Sequence, residues 1–136
     1  MRIIFLDVDG VLNKGSGIMQ DRADNFVRFF QSSGNDWKIV VSSTWRKSEQ
    51  DMARLRAAIA PIAGKIVGMT PLIDDYSRFL EIQAYLQEHP ADDHIIIDDL
   101  PGLFHHGTDR VYFIPEGRAF TDLDANAIRS MLKDPS

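Results

Sequence analysis

The sequence has no cysteine in its 136 residues, which excludes disulfide bonds, thiolate metal ligands and a cysteine nucleophile. It also lacks an apolar run near the roughly 18 residues that a membrane span needs. Basic residues are not in excess, because 15 Lys and Arg stand against 20 Asp and Glu, for a formal charge of -5. This balance counts against a general nucleic-acid-binding protein, which is usually basic. The first residues lack the features of a signal peptide, so we expect a cytoplasmic protein.

What is present fits one globular domain over residues 1–136, with 44% hydrophobic and 26% charged residues. Five short apolar runs predict strands that are buried on both faces. These runs are Ile3–Leu6, Trp37–Val41, Ile66–Met69, Ile95–Ile97 and Val111–Ile114. Segments with apolar residues at helical spacing lie between or after them: Ala23–Phe30, Met52–Ile59, Phe79–Leu86 and Leu123–Leu132. The alternation predicts an α/β fold, a three-layer α/β/α sandwich around a mostly parallel sheet.

Polar side chains follow three of the predicted strands at the point where each strand ends. Asp7 and Asp9 come after the first strand, Ser42 after the second, and Asp98 and Asp99 after the fourth. The carboxyl ends of parallel strands meet at one edge of the sheet, where ligands collect. Four carboxylates that converge there repel one another unless they bind protons or a cation. Oxygen ligands without His or Cys favour Mg²⁺.

Turn formation and helix capping are the alternative explanation for residues of these types at strand ends. We assign Ser43 and Thr44 to it, because one of them is expected to cap the following helix. Ser42 leaves both explanations open. For the two acidic pairs the alternative needs two independent coincidences, so we favour a site there.

The segment Asp7-Val8-Asp9-Gly10-Val11-Leu12 resembles the DxDGxL signature of the haloacid dehalogenase (HAD) superfamily. Ser42 matches the Ser or Thr of that family's second motif, and Asp98-Asp99 resembles its acidic fourth motif. Further segments are similar to a small HAD branch whose domains occur alone and in Swiss Army Knife RNA repair proteins. They are Val40–Arg46, Thr70-Pro71, Arg78, Glu81-Ile82, Tyr85-Leu86 and Ile96–Asp99. The resemblance covers nearly the whole chain and implies a HAD-like Rossmannoid fold.

The resemblance implies a Mg²⁺-dependent phosphohydrolase of the phosphatase type. Asp7 would be the nucleophile that forms an aspartyl-phosphate, and Asp9 the general acid and base. Mg²⁺ would be held by Asp7, by the backbone carbonyl of Asp9 and by Asp98, with Asp99 as a second ligand or as an orienting residue. Ser42 would donate a hydrogen bond to the transferring phosphoryl group.

The third motif departs from the family pattern, which usually places a Lys ahead of the fourth motif. Position favours Arg78, at the start of a predicted helix, whereas residue type favours Lys65. We prefer Arg78, with a solvated helix residue as the alternative. The departure also motivates a second hypothesis, a non-catalytic phospho-ligand or partner-binding module. The intact pair of Asp7 and Asp9 argues against that module, which would not need an acid and base. Asp9 also argues against a dehalogenase or phosphonatase, because an acid and base Asp at that position is associated with phosphate-ester hydrolysis.

The spacing of the motifs leaves no room for a large cap domain. Only 32 residues separate Asp9 from Ser42, and the interval to Arg78 holds one helix and a short strand. The loop Asn13–Met19 is long enough for a short flap. An open site suits a phosphate carried on something large, such as a nucleic-acid end or a phosphoprotein. The sequence is equally compatible with a small substrate that is covered by a lid from another subunit. Membranes are not expected partners.

Three further features receive brief interpretations. Arg46, next to Trp45, either steers an anionic substrate or is a surface residue beside a packed Trp. The pair His105-His106 is interpreted as solvated loop residues rather than metal ligands. The basic residues Arg46, Lys47, Arg54 and Arg56 are interrupted by acids and indicate an exposed helix face.

Overall fold

The computed structural model describes residues 1–14, 17–34, 36–72, 78–104 and 110–133. Its described residues form one five-stranded parallel sheet in the order β3-β2-β1-β4-β5 and four α-helices. The strands are β1 (Arg2–Leu6), β2 (Trp37–Val41), β3 (Ile66–Met69), β4 (Asp93–Asp98) and β5 (Val111–Phe113). The helices are α1 (Gln20–Ser32), α2 (Glu49–Ala58), α3 (Arg78–Glu88) and α4 (Asp122–Lys133). The predicted α/β class is confirmed, and every strand pair is parallel.

Strand β4 begins two residues before the predicted run Ile95–Ile97 and includes Asp98 after it. The extra residues Asp93 and His94 pair with the start of β1. Strand pairing uses backbone groups, so polar side chains can belong to a strand that apolar patterning does not mark.

Alternate side chains of β1 enter two separate cores, as expected for a strand buried on both faces. Ile4 and Leu6 belong to the larger core, to which α1, α2 and α4 contribute. Ile3 and Phe5 belong to the smaller core, to which α3 contributes Ile82 and Tyr85. The predicted three layers are therefore confirmed. They are unequal, because a single α-helix of the described chain contributes to the second core.

Close packing of α3 depends on a small residue in β3. Tyr85 packs edge-on against Phe5, with ring centroids 5.8 Å apart. The hydroxyl of Tyr85 also lies only 3.1 Å from the place where a Cβ on Gly68 would sit. Gly68 therefore lets α3 approach the sheet closely. This approach matters because the first residue of α3 is Arg78.

The intervals between the motifs contain no cap domain in the part of the chain that is described. Helix α1 and strand β2 occupy the stretch between Asp9 and Ser42. Two 3₁₀ helices (Thr44–Lys47 and Ala60–Lys65), α2 and β3 follow before Arg78. Of the suggested flap, residues 15 and 16 lie outside the described residues, as do His105 and His106. Within the described chain, no helix has both the length and the apolarity to cross a bilayer.

The larger core generates a stability prediction at Phe120, which is fully buried. Its ring centroid lies 5.6 Å from those of both Phe26 and Phe29. We expect Phe120→Ala to lower the free energy of unfolding by about 3–5 kcal/mol, because it removes apolar contacts and leaves a cavity. Urea denaturation measures this loss. Leu123→Ala, at a side chain that is 69% exposed, is the control and should change stability by less than about 0.5 kcal/mol.

Candidate active site

Three carboxylates converge at the carboxyl edge of the sheet, where β1 and β4 end side by side. Asp7 follows β1, Asp98 ends β4, and Asp99 comes next in the chain. One carboxylate oxygen from each lies within 4.8 Å of the other two. Asp7 and Asp98 are buried, at 3% and 0% exposure. The strand ends predict that four carboxylates converge here; the structure brings three of them together in an acidic cluster in which Asp99 is half-buried.

Arg78 brings one positive charge into the cluster. Its Nη1 donates to Asp98 Oδ2 at 2.7 Å and lies 3.3 Å from Asp7 Oδ1. The residue is only 7% exposed, so the alternative of a solvated helix residue is wrong. Lys65 precedes β3 and neighbours Lys38 near the amino end of β2, so it lies at the opposite edge of the sheet.

The electrostatics of the cluster favour protons or a cation. Burial, the neighbouring charge of Asp98 and a hydrogen bond with Asp99 raise the pKa of Asp7 to about 9, and Arg78 offsets this only in part. Burial likewise raises the pKa of Asp98, although Arg78 and the backbone N–H groups of Leu100 and Asp99 oppose the rise. These groups therefore gain from any ligand that neutralises their charge.

Gly10 is required by the geometry of the turn after β1. Its φ of +83° lies in the left-handed region, which disfavours a side chain. A Cβ at this position would also overlap the carboxylate of Asp99. The glycine of the DxDG segment therefore allows the first loop to pass against the end of β4.

Asp9 does not join the three-carboxylate cluster through its side chain. Its Oδ1 accepts hydrogen bonds from Trp45 Nε1 and from Asn13 Nδ2, both at 2.9 Å. Asn13 is itself fixed, since its Oδ1 accepts from the N–H of Gly10 at 2.9 Å. The backbone carbonyl of Asp9, which the resemblance assigns to the metal, is a separate group from this carboxylate. The two carboxylates of the first motif therefore have different surroundings.

Sequence reasoning missed the contacts of Trp45 and Asn13 with Asp9. Asn13 sits four residues after Asp9, which is the range of a side-chain-stabilised turn and gave a usable local signal. Trp45 is 36 residues from Asp9, and no local pattern announces its contact. The interpretation of Trp45 as a packed residue was right, since it is 7% exposed.

Ser42 follows β2, and its N–H donates to the carbonyl of Leu6 at 3.0 Å. The side chain is fully buried, yet its Oγ has no hydrogen-bond partner in the described residues. Ser43 is different, because its Oγ accepts from Trp45 N at 3.1 Å and caps the first 3₁₀ helix. Helix α2 is instead capped by Ser48. The capping role expected of Ser43 or Thr44 thus falls on Ser43, at a shorter helix.

Arg46 is buried and engaged, so neither interpretation from the sequence is correct. Its side chain is 4% exposed, and Nη2 pairs with Glu81 on α3 at 2.7 Å. The other nitrogens donate to backbone carbonyls of Ser42, Ser43 and Thr70. Arg46 therefore joins the carboxyl ends of β2 and β3 to α3, and its guanidinium is not free to steer a substrate.

The family model for the HAD domain in Swiss Army Knife RNA repair proteins matches residues 3–122. The chain belongs to this HAD family. No curated protein and no solved structure gives a match. Membership of this family places the domain in a superfamily of hydrolases and phosphatases. It agrees with the parallel sheet and with the acidic residues at the carboxyl ends of its strands.

The residues of the cluster fit a bound metal ion. Asp7, Asp98 and Asp99 supply three carboxylates, whereas Arg78 supplies one positive charge. Oδ1 of Asp99 is buried without a hydrogen-bond partner among the described residues. An oxygen-only ligand set with excess negative charge suits a hard divalent cation.

Replacement of Asp7 by Asn tests this electrostatic balance through the pH dependence of stability. The pKa of about 9 lies above the ordinary 3.8, so the folded protein holds a proton that the unfolded chain releases. The contribution of Asp7 to wild-type stability without metal should therefore fall as the pH rises from about 4 to 9. We expect Asp7→Asn to exceed wild type in free energy of unfolding by about 1–3 kcal/mol at pH 8. This advantage should shrink towards pH 4.

Urea denaturation with a chelator, at several pH values, measures the difference. Added Mg²⁺ serves as the internal control. It should stabilise wild type more at pH 8 than at pH 5, and it should stabilise Asp7→Asn less than it stabilises wild type. An Asp7→Asn advantage that does not change with pH would contradict the assignment.

Proposed function

We propose that this domain is a Mg²⁺-dependent phosphatase that works through phosphorylation of Asp7. The observation that carries the proposal is the convergence of buried Asp7 and Asp98 with half-buried Asp99, where the guanidinium of Arg78 contacts Asp7 and Asp98. Membership of the HAD family supports the same chemistry. Asp7, Asp98, Asp99 and the backbone carbonyl of Asp9 would hold the ion. When bound, Mg²⁺ would neutralise charge on the carboxylates and on the phosphoryl oxygens.

In the first step a carboxylate oxygen of Asp7 attacks the phosphorus atom. A bond forms between this oxygen and phosphorus, and the bond from phosphorus to the ester oxygen breaks. Asp9 gives its proton to the leaving oxygen, so the product leaves as an alcohol. Since Oδ1 of Asp9 accepts from Trp45 and Asn13, we assign the proton transfer to Oδ2.

In the second step water attacks the phosphorus atom of the aspartyl-phosphate. Asp9 takes the proton of that water, and the bond between phosphorus and the Asp7 oxygen breaks. Inorganic phosphate is released, and Asp7 returns as a carboxylate. Asp9 regains the proton with which it began the cycle.

Two further side chains would stabilise the phosphoryl group during transfer. The Oγ of Ser42, buried and without a partner among the described residues, would donate to a phosphoryl oxygen. Arg78, rather than Lys65, would fill the third-motif role, because it contacts Asp7 and Asp98. Its guanidinium is a fixed fork and not a mobile point charge, so it also orients the two carboxylates.

We further propose a large phosphorylated substrate, and among these a nucleic-acid end. The described residues contain no cap over the carboxyl edge of the sheet, which leaves room for a substrate that extends away from its phosphate. The description of the family as a domain of RNA repair proteins points in the same direction. We expect a cytoplasmic location for this activity.

The proposal is tested with an aryl phosphate and Mg²⁺. Wild type should release phosphate, and Asp7→Asn should lower kcat by about three orders of magnitude or more, because it removes the nucleophile. Arg78→Gln should lower it about 100-fold through lost charge stabilisation. Lys65→Ala is the control and should retain wild-type activity, because Lys65 lies at the opposite edge of the sheet. Circular dichroism checks that each variant folds.

Full activity in Asp7→Asn would refute the nucleophile. If wild type with Mg²⁺ turns over none of a broad panel of phosphate esters, including 5′- and 3′-phosphorylated RNA and DNA, the non-catalytic binding module replaces the phosphatase.

Trp45 is proposed as a positioning residue that holds Asp9 in place for proton transfer. Trp45→Phe keeps an aromatic ring and removes the indole N–H that donates to Asp9. Proton donation matters most when the leaving group is poor, so we expect kcat/KM to fall about tenfold for an alkyl phosphate. An aryl phosphate with a good leaving group should lose less than about threefold by the same argument.

Trp37→Phe is the matched control, because Trp37 is also buried but lies at the amino end of β2. It should affect both substrates equally. If Trp45→Phe lowers kcat/KM equally on both substrates, Trp45 has only a packing role and the proposal is wrong.

A further inference from the structure

A groove of about 330 Å³ lies beside the candidate active site, on the side of β3. Its lining includes Met52 and Met69, part of Arg46, and the charged residues Lys47, Glu49 and Arg56. The groove thus combines an apolar floor with a charged rim. No step proposed above uses it.

Hydrogen bonds of Arg46 and Thr70 connect the groove with Ser42. Arg46, which lines it, donates to the carbonyls of both Ser42 and Thr70. Thr70 directly follows Met69 of the groove, and its N–H donates to the carbonyl of Val41 at 3.1 Å. Thr70 and Ser42 are therefore neighbours, each directly after the end of its strand.

Buried polar atoms without partners continue from the acidic cluster towards this groove. Within the described residues they are Asp99 Oδ1, Ser42 Oγ and Thr70 Oγ1. They follow the ends of β4, β2 and β3. Thr70 is 4% exposed, so its hydroxyl is a second buried donor that lacks a protein partner there. A polar ligand that runs from Asp7, after β1, to the groove beside β3 passes the ends of β2 and β3.

The rim of the groove carries positive charge that other groups do not neutralise directly. Lys47 and Arg56 are exposed, and neither forms an ion pair with a carboxylate in the described part of the chain. Arg54, on the same helix as Arg56, differs because it pairs with Asp51 at 3.0 Å. Glu49 is the one acid that lines the groove, so the rim has a small positive excess.

The floor suits a flat, polarisable group. Met69 is 47% exposed and Met52 is 8% exposed, so the first is open to a ligand and the second is largely buried. Methionine sulfur makes favourable contacts with aromatic rings, and a nucleobase offers such a face. A base on the floor and phosphates at the rim fit the two chemical halves of the groove.

We infer that this groove binds the nucleotide next to the reacting phosphate on a single-stranded nucleic-acid end. The inference rests on the proposed phosphatase function and specifies its substrate class. Met69 contacts the base, whereas Lys47 and Arg56 contact the following backbone phosphates. An aryl phosphate fills only the acidic cluster and does not reach the groove.

The test compares kcat/KM on a phosphorylated single-stranded oligonucleotide with kcat/KM on an aryl phosphate. Arg56→Ala should lower the first by about five- to tenfold and leave the second within about twofold. For the oligonucleotide, the slope of log kcat/KM against log salt concentration should be shallower in Arg56→Ala than in wild type by about 0.7, because one phosphate contact is lost. Arg54→Ala is the matched control, with the same substitution on the same helix, and should change neither substrate. Met69→Ser should behave like Arg56→Ala, with the equally exposed Val67→Ser as its control.

Binding of a fluorescent phosphorylated oligonucleotide to Asp7→Asn gives a readout independent of turnover. Arg56→Ala in this background should weaken binding by a similar factor, even if the proposed phosphatase activity fails. The inference is overturned if Arg56→Ala matches Arg54→Ala, if Arg56→Ala reduces activity on both substrates equally, or if a phosphopeptide competes better than the oligonucleotide.

Discussion

The contact of one buried guanidinium with two buried carboxylates is the constraint on which the rest of the site depends. Asp7 and Asp98 end up side by side because β1 and β4 are neighbours in a parallel sheet. Without Arg78 their charges would be buried unpaired, at a cost of several kcal/mol. With it, negative charge is still in excess because Asp99 adds a third carboxylate. That excess makes the cluster receptive to a divalent cation and to protons.

Helix α3 is the element that delivers the positive charge. Arg78 begins it, and one turn later Glu81 pairs with Arg46 of the 3₁₀ helix that follows β2. One further turn along the same buried face, Tyr85 packs against Phe5 and comes close to Gly68, which anchors the helix to the sheet. The smaller core and the charge network therefore share one helix. A substitution that loosens α3 should disturb both stability and the site.

The separate surroundings of Asp7 and Asp9 support the different roles that we propose for these two residues of one short motif. Asp7 is buried among other carboxylates, whereas Asp9 is held by the neutral donors Trp45 and Asn13. Different environments for two carboxyl groups are how enzymes divide acid, base and nucleophile roles. The turn at Gly10 allows the two carboxylates to have different surroundings, because its φ of +83° changes the direction of the chain directly after Asp9.

The sequence by itself determined the α/β class, the succession of strands and helices along the chain, and the acidic residues at the ends of β1 and β4. Apolar patterning suffices for these, because burial on both faces leaves a strong local signal. Tertiary structure alone brought Arg78 to Asp7 and Asp98 and left Lys65 near the amino end of β2, and it alone placed Trp45 on Asp9 and Arg46 in a buried network. These contacts join residues far apart in the chain. No local periodicity encodes them, since they depend on how α3 and the loop after β2 close over the sheet.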